Sequence, residues 1–227
     1  MFKESEEDLT SKARIRDAAI ACIAEEGVTA ATVRKIAVAA GVSPGLVIHH
    51  YRSMDGLRAA CDEHVAASIR RVKEDAMTAG PGLDVLAALR ETRIGPVVGY
   101  LARTLVEEAP AVTRLVDDLV ADAEQYLEQG VESGMLRPTG DTRGRAAVLA
   151  LWSLGALVLH RHVERILGID LTDPQLGADP ALAAYLGPAY EILGRGVFTE
   201  DAAAALSSAA AQLGGSSMPD PDTTKGP

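Results

Sequence analysis

The 227-residue sequence predicts an all-α protein. Apolar residues recur at three- and four-residue spacing along most of it, and no segment alternates with the period of two that a half-buried strand shows. Only 4% of residues are aromatic, so the side chains that strands prefer are scarce. With 48% hydrophobic and 24% charged residues, the chain is long and apolar enough to bury a core.

Residues 1–9 read as a disordered arm. From Lys12 to Glu26 the apolar positions Ile15, Ala18, Ala19, Cys22 and Ile23 fall at helical spacing, with Thr10 or Ser11 as N-cap and Gly27 as the stop. Thr32 caps a short second helix, Val33 to Ala40, whose inner side is Ile36, Ala37 and Ala40 and which Gly41 ends. Ser43 caps a third, with Pro44 in its first turn and Val47 and Tyr51 four residues apart on one side. Asp55 lies near the start of a fourth helix through Leu57, Cys61, Val65 and Ile69, which ends before a hinge at Gly80-Pro81-Gly82. Further helices are expected at about 83–94, 96–108, 110–133, 141–168 and 180–195, with an Ala-rich piece at 200–213. Pro96, Pro110 and the Arg137 to Gly140 turn punctuate them, and no internal repeat is visible. The stretch 214–227, rich in Gly, Ser, Pro and Asp, is expected to be disordered.

The formal net charge of -10 makes the molecule as a whole repel nucleic acid and anionic membranes, so any such binding must be local. Residues 10–73 hold ten basic groups against six acidic ones, whereas residues 74–227 hold eleven against twenty-two. The basic end is therefore small and N-terminal. Two cysteines and no export signal fit a reducing cytoplasm. The longest apolar stretch, Ala146 to Leu159, is shorter than the roughly 20 residues a spanning helix needs, and Ser153 and Gly155 interrupt it; no membrane role is expected.

Two short helices joined through Gly41-Val42-Ser43 fit a DNA-reading helix-turn-helix, because small Ala37 allows close approach and Gly41 can take the left-handed turn. Val42 and Val47 then pack inward on Ile36. Pro44, Gly45, Leu46, Ile48, His49 and His50 are left toward the outside of the recognition helix.

The run Thr32-x-x-x-Ile36-Ala37-x-x-Ala40-Gly41-Val42-Ser43-x-Gly45, followed by His50-Tyr51-x-Ser53 and Leu57, resembles the N-terminal domain of the TetR family of bacterial transcriptional regulators. The resemblance covers about residues 10–60. It implies a helix-turn-helix DNA-binding domain (10–54), a connecting helix and hinge (55–82), a helical domain for ligand binding and dimerisation (83–213), and a tail (214–227). It further implies a homodimer on a palindromic operator, released by a small-molecule effector. Two positions depart from the usual pattern: Ile48 replaces a Tyr and Met54 replaces a Lys, both of which would serve phosphate oxygens. His49, Tyr51 and Arg52 lie close enough in sequence to replace them, and Ile48 can instead meet a thymine methyl or a sugar.

Residue chemistry suggests the roles at DNA. Thr32 and Val33 open the second helix, whose amides and dipole suit a phosphate. Arg34, the long forked donor near the turn, is expected at a base edge, guanine first, or else at a flanking phosphate; Lys35 is a phosphate candidate. Ser43 to Leu46, Ile48, His49 and His50 form the reading edge, and either imidazole can donate one hydrogen bond when neutral and two when protonated.

The segment 143–167 is apolar almost all round, so it needs partners on more than one side. The resemblance places it, with the helix near 180–195, in a two-fold interface. Two recognition helices about 34–36 Å apart would also read successive major-groove faces, which one short helix cannot. For the mostly apolar effector pocket that the resemblance implies among residues 83–167, Tyr100, Tyr126, Trp152 and His160 can supply shape and a polar tip. Cys61-x-x-His64 and His160-x-His162 lack the four-ligand spacing of a structural zinc site, and no phosphate loop, nucleophile elbow or HExxH occurs. The sequence thus points to a regulator rather than an enzyme, with no cofactor or metal. The alternative is a helical ligand-sequestering or partner-binding protein with weakened DNA binding.

Overall fold

The computed structural model describes residues 6–84, 87–88, 95–173 and 175–215. Most of the helix expected at 83–94, residues 1–5 of the arm and 216–227 of the tail lie outside the described residues. Among the described residues there are ten α-helices and no strand. They are α1 (Glu6–Glu26), α2 (Val33–Ala40), α3 (Pro44–Tyr51), α4 (Met54–Thr78), α5 (Gly95–Thr104), α6 (Pro110–Glu132), α7 (Thr142–Val158), α8 (His160–Leu167), α9 (Ala183–Arg195) and α10 (Glu200–Gly215).

The chain divides into two units, residues 1–182 and 183–227. In the first, α1 packs on α2, α3, α4 and α5, while α4 packs on α6, and α6 on α7. One core runs through this arrangement, from Ile15, Ile23, Ile36, Val47 and Leu57 to Val65, Tyr100, Leu101 and Leu115. A smaller apolar cluster of Ala123, Leu127, Ala146 and Ala150 joins α6 to α7. The reading unit α1–α3 therefore shares its core with the helices behind it. The second unit holds α9, which carries Pro188 within it, and α10.

Three expectations change. Helix α1 begins at Glu6, so Thr10 and Ser11 lie inside it and do not cap it. The helix expected over 141–168 is two helices, α7 and α8, bent by 76° at Leu159. There the His160 ring nitrogen Nδ1 lies 2.8 Å from the Leu157 carbonyl, an acceptor that a continuous helix would give to the next turn's amide, and the Leu159 carbonyl accepts from the His162 amide at 2.8 Å to start α8. The Ala-rich helix runs on to Gly215, two residues into the expected tail. Among the described residues no single helix is long and apolar enough to cross a membrane.

Candidate nucleic-acid interface

Local capping chemistry builds the helix-turn-helix. The Thr32 hydroxyl accepts from the Lys35 amide at 3.3 Å and the Ser43 hydroxyl from the Leu46 amide at 3.2 Å, so each helix starts on its own side-chain cap. At the end of α2, Gly41 takes φ 64° and ψ 40°. Its amide donates to Val38 O at 3.1 Å and the Val42 amide to Ala37 O at 2.9 Å, the paired bonds of a Schellman stop. Ile36, Ala37, Ala40 and Val47 are buried, with Val42 half-buried against them.

With Val47 and Tyr51 fixing the inward direction of α3, the remaining positions sort by angle around the helix. Ser43, Pro44, Gly45, Ile48 and His49 are exposed, as are Thr32, Arg34 and Lys35 of the preceding helix, and Arg52. Val33, Leu46 and His50 are half-buried, Val33 and Leu46 against the core. Leu46 and His50 thus lean inward rather than lying on the outer face. The His50 ring meets that of His49 edge-on, with centroids 5.4 Å apart, and its Nε2 is buried without a hydrogen-bond partner among the described residues. Lys35 is not a free cation, since its Nζ pairs with Glu26 of α1; both side chains are about half exposed, so a phosphate can compete for it.

Tyr51 requires a correction. It was expected close enough to DNA to replace a phosphate contact, but it is 7% exposed and its hydroxyl donates to the Lys12 carbonyl at 2.7 Å. Position 51 lies one helical turn beyond Val47, on the side of α3 that meets the core. Burial pushes its phenol up to about 12, so it stays a neutral donor. The next residue, Arg52, has φ 68° and ψ −41°, and the Ser53 amide donates to Tyr51 O at 2.8 Å across it. This is a γ-turn of the strained, positive-φ kind. It leads directly into α4, where Ser53 caps the Gly56 amide at 3.0 Å.

Two features of this region are missed by the sequence-based expectations. Arg14 on α1 donates through Nη2 to Ala40 O at 2.5 Å, with Gly41 O at 3.4 Å, and so reaches the turn itself. Val38, on α2, is 77% exposed. An arginine that caps a helix 26 residues away has no local signature, whereas Val38 could have been found as the position four after Arg34 on the outer side of α2.

The four effector-pocket candidates do not converge. Tyr100 is fully buried beneath α1 and α4, and its hydroxyl donates to Asp62 Oδ1 at 2.6 Å. Tyr126 is half-buried at the α6–α7 cluster. Trp152 is exposed on α7, and His160 meets a backbone carbonyl at the α7–α8 bend. Helical spacing put polar tips on different helices, and the packing sent each to a different place. Around Tyr100 the wall between α4 and α5 is polar: Arg58 reaches Glu107 at 2.5 Å, and the Thr104 hydroxyl is buried without a partner among the described residues. Burial raises the Asp62 carboxyl above its ordinary value, while the Tyr100 hydroxyl and the Arg58 charge pull it back. The Cys61 Sγ lies 3.8 Å from Arg16 O, and burial pushes this thiol up to about 12, so it is protonated and inert. Among the described residues no three His, Cys, Asp or Glu gather to hold a metal ion.

Comparison with known proteins agrees with this architecture. Residues 15–61 match the family model for bacterial regulatory proteins of the tetR family, and residues 92–199 match a tetracyclin repressor-like C-terminal domain. The HTH-type transcriptional regulatory protein RaaS of Mycobacterium tuberculosis is 40% identical over 154 residues, 67% of this chain and 72% of that protein. The HTH-type transcriptional repressor Rv1474c of the same organism is 45% identical over 58 residues, 25% of this chain and 31% of that protein. Among solved structures, a transcriptional regulator from Rhodococcus sp. Rha1 superposes with a TM-score of 0.54 at 20% identity, covering 83% of this chain and all of that one. With a helix-turn-helix whose caps, turn and core are those its sequence motif requires, and with a relative of this identity and coverage, the chain belongs to the TetR family of bacterial transcriptional regulators.

Proposed function

We propose that this regulator is a repressor that binds a palindromic operator as a homodimer in the cytoplasm and is released by a small, mostly apolar effector taken up among the helices behind the reading unit. The observation that carries the DNA reading is the exposed edge of α3, where Ser43, Pro44, Gly45, Ile48 and His49 stand clear of the core beside Arg34 and Lys35 of α2. An eight-residue helix with both a side-chain cap and a rigid turn before it is the size that a major groove admits. Thr32, Val33 and Lys35 would hold phosphates, Arg34 a base edge, and Arg52 a flanking phosphate.

The homodimer reading rests on α7. Its inner side carries Ala146 and Ala150, buried on α6, while Val148, Leu151 and Trp152 lie on the opposite side and Leu159 follows at the bend, all 40–65% exposed. Apolar side chains exposed in one stripe mark an association surface, and a second copy offers the matching stripe by symmetry. In the second unit, Tyr190, Ile192, Leu193 and Phe198 are likewise exposed. Selection of duplexes from a random pool by the purified chain tests the function. Enrichment of an inverted repeat with half-sites about one helical turn apart is the expected outcome. Enrichment of nothing, together with retention of small molecules, would favour the ligand-sequestering alternative.

A further inference from the structure

Helix α1 touches α2 and α3 at one end and the helices behind the reading unit at the other. Near its C-terminal end, a Cβ on Gly99 of α5 would stand 2.9 Å from Ala24 Cβ, and Arg103 Nε donates to Ala24 O at 3.5 Å. The two helices meet there with almost no spacer. Near its N-terminal end, α1 holds α2 and α3 at two points. The Lys12 carbonyl accepts the Tyr51 hydroxyl at 2.7 Å, at the end of α3, and Arg14 reaches the carbonyls of Ala40 and Gly41, at the turn before α3.

The second hold has a particular chemistry. The last four carbonyls of a helix lack partners within it. The Schellman stop takes those of Ala37 and Val38, and Arg14 takes that of Ala40. A guanidinium at this place also faces the negative end of the α2 dipole, and its charge-assisted bond is stronger than a neutral one. Gly41 itself is fixed by its left-handed backbone, φ 64°, and a Cβ there would meet Arg14 Nη2 at an ordinary contact distance of 3.4 Å.

We infer that Arg14 is a positioning residue for DNA reading: by tying the α2–α3 turn to α1, it sets the angle at which α3 meets the groove. Fixing both ends of α3 to one rigid rod removes the freedom that would let its side chains meet neighbouring base pairs equally well. The inference rests on the DNA-binding reading above and assigns Arg14 to specificity rather than to phosphate attraction.

The test compares wild type, Arg14→Met and Arg14→Lys on two duplexes, one selected from a random pool by the wild-type chain and one of random sequence, each across a salt series, with thermal melting alongside. The expected result for Arg14→Met is a fall of about tenfold in the affinity ratio between the two duplexes, the scale of misreading one base pair. Affinity for random DNA and its salt slope hold, the melting temperature falls by a few degrees for the lost carbonyl bond while the chain stays folded at the assay temperature, and Arg14→Lys recovers part of the ratio. A parallel loss on both duplexes with a shallower slope, by about 0.9 per lost contact, would make Arg14 a phosphate ligand and overturn the inference. An unchanged ratio would overturn it too. A wild-type chain that enriches no sequence removes the regulator reading itself, an outcome distinct from either.

Discussion

The Tyr100 hydroxyl donates to Asp62 at 2.6 Å across the α4–α5 contact, where Tyr100 is fully buried. Replacing it with Phe leaves the half-buried carboxylate short of a donor, at a cost of about 1–3 kcal/mol near neutral pH. Burial already holds the folded pKa of Asp62 above its unfolded value, so its proton favours the folded state, and Asp62's contribution is lost as pH rises through the folded pKa. Without Tyr100 that pKa moves higher still. Denaturant melts of Tyr100→Phe and wild type should therefore converge as the pH falls below the folded pKa of Asp62 and separate as it rises; a difference independent of pH would refute this account.

Gly56 is required by sterics, not by backbone conformation. A Cβ there would stand 2.2 Å from the Tyr51 carbonyl oxygen, which is backbone and already accepts from Ser53. Gly56→Ala should cost about 2 kcal/mol or more, read as a drop in denaturation midpoint. Gly45→Ala, whose nearest new neighbour is the Ser43 hydroxyl at 3.8 Å, should change stability by less than about 0.5 kcal/mol.

The closeness of α1 and α5 predicts a compensating pair. Gly99→Ala presses its Cβ onto Ala24 Cβ and should destabilise by about 1–3 kcal/mol. In the Ala24→Gly background the same change should cost less, and a double-mutant cycle on melting data gives the coupling directly. Strict additivity would mean that the helices separate freely.

At the reading edge, Arg34→Ala should cost about 1–3 kcal/mol on the selected duplex and blur preference at one base pair, whereas Lys35→Ala should weaken all sequences alike. Glu26→Ala should tighten binding to both duplexes, because it frees Lys35 from its ion pair. Gel shifts at two salt concentrations separate these patterns, and equal loss on both duplexes for Arg34→Ala would remove its base-reading role.

On α7, Leu151→Glu places a charge in the exposed apolar stripe beside Trp152. Light scattering should show a shift from dimer toward monomer, and operator affinity should fall with it, since two half-sites then bind independently. An unaltered mass would move the proposed interface elsewhere.

The helical class, the first four helices and the caps at Thr32 and Ser43 were legible in sequence, because local interactions settle them: apolar spacing, hydroxyls before a helix and a glycine after it. The inward set Ile36, Ala37, Ala40 and Val47 followed from the same periodicity. Which polar side chains face outward did not. Tyr51, one turn after Val47, was legible as inward though its acceptor was not, and Tyr100 and Arg14 could each have been drawn with equal right toward a ligand, the solvent or the core. Their destinations depend on partners 26 to 39 residues away in the chain, namely the Lys12 carbonyl, the Asp62 carboxylate and the end of α2. The bend at Leu159 is of the same kind, since a ring nitrogen that takes a carbonyl leaves no mark in hydropathy. Sequence decides what each segment can become, through bonds between near neighbours; tertiary packing decides where a polar tip ends, because a buried donor must find whichever acceptor the fold brings to it.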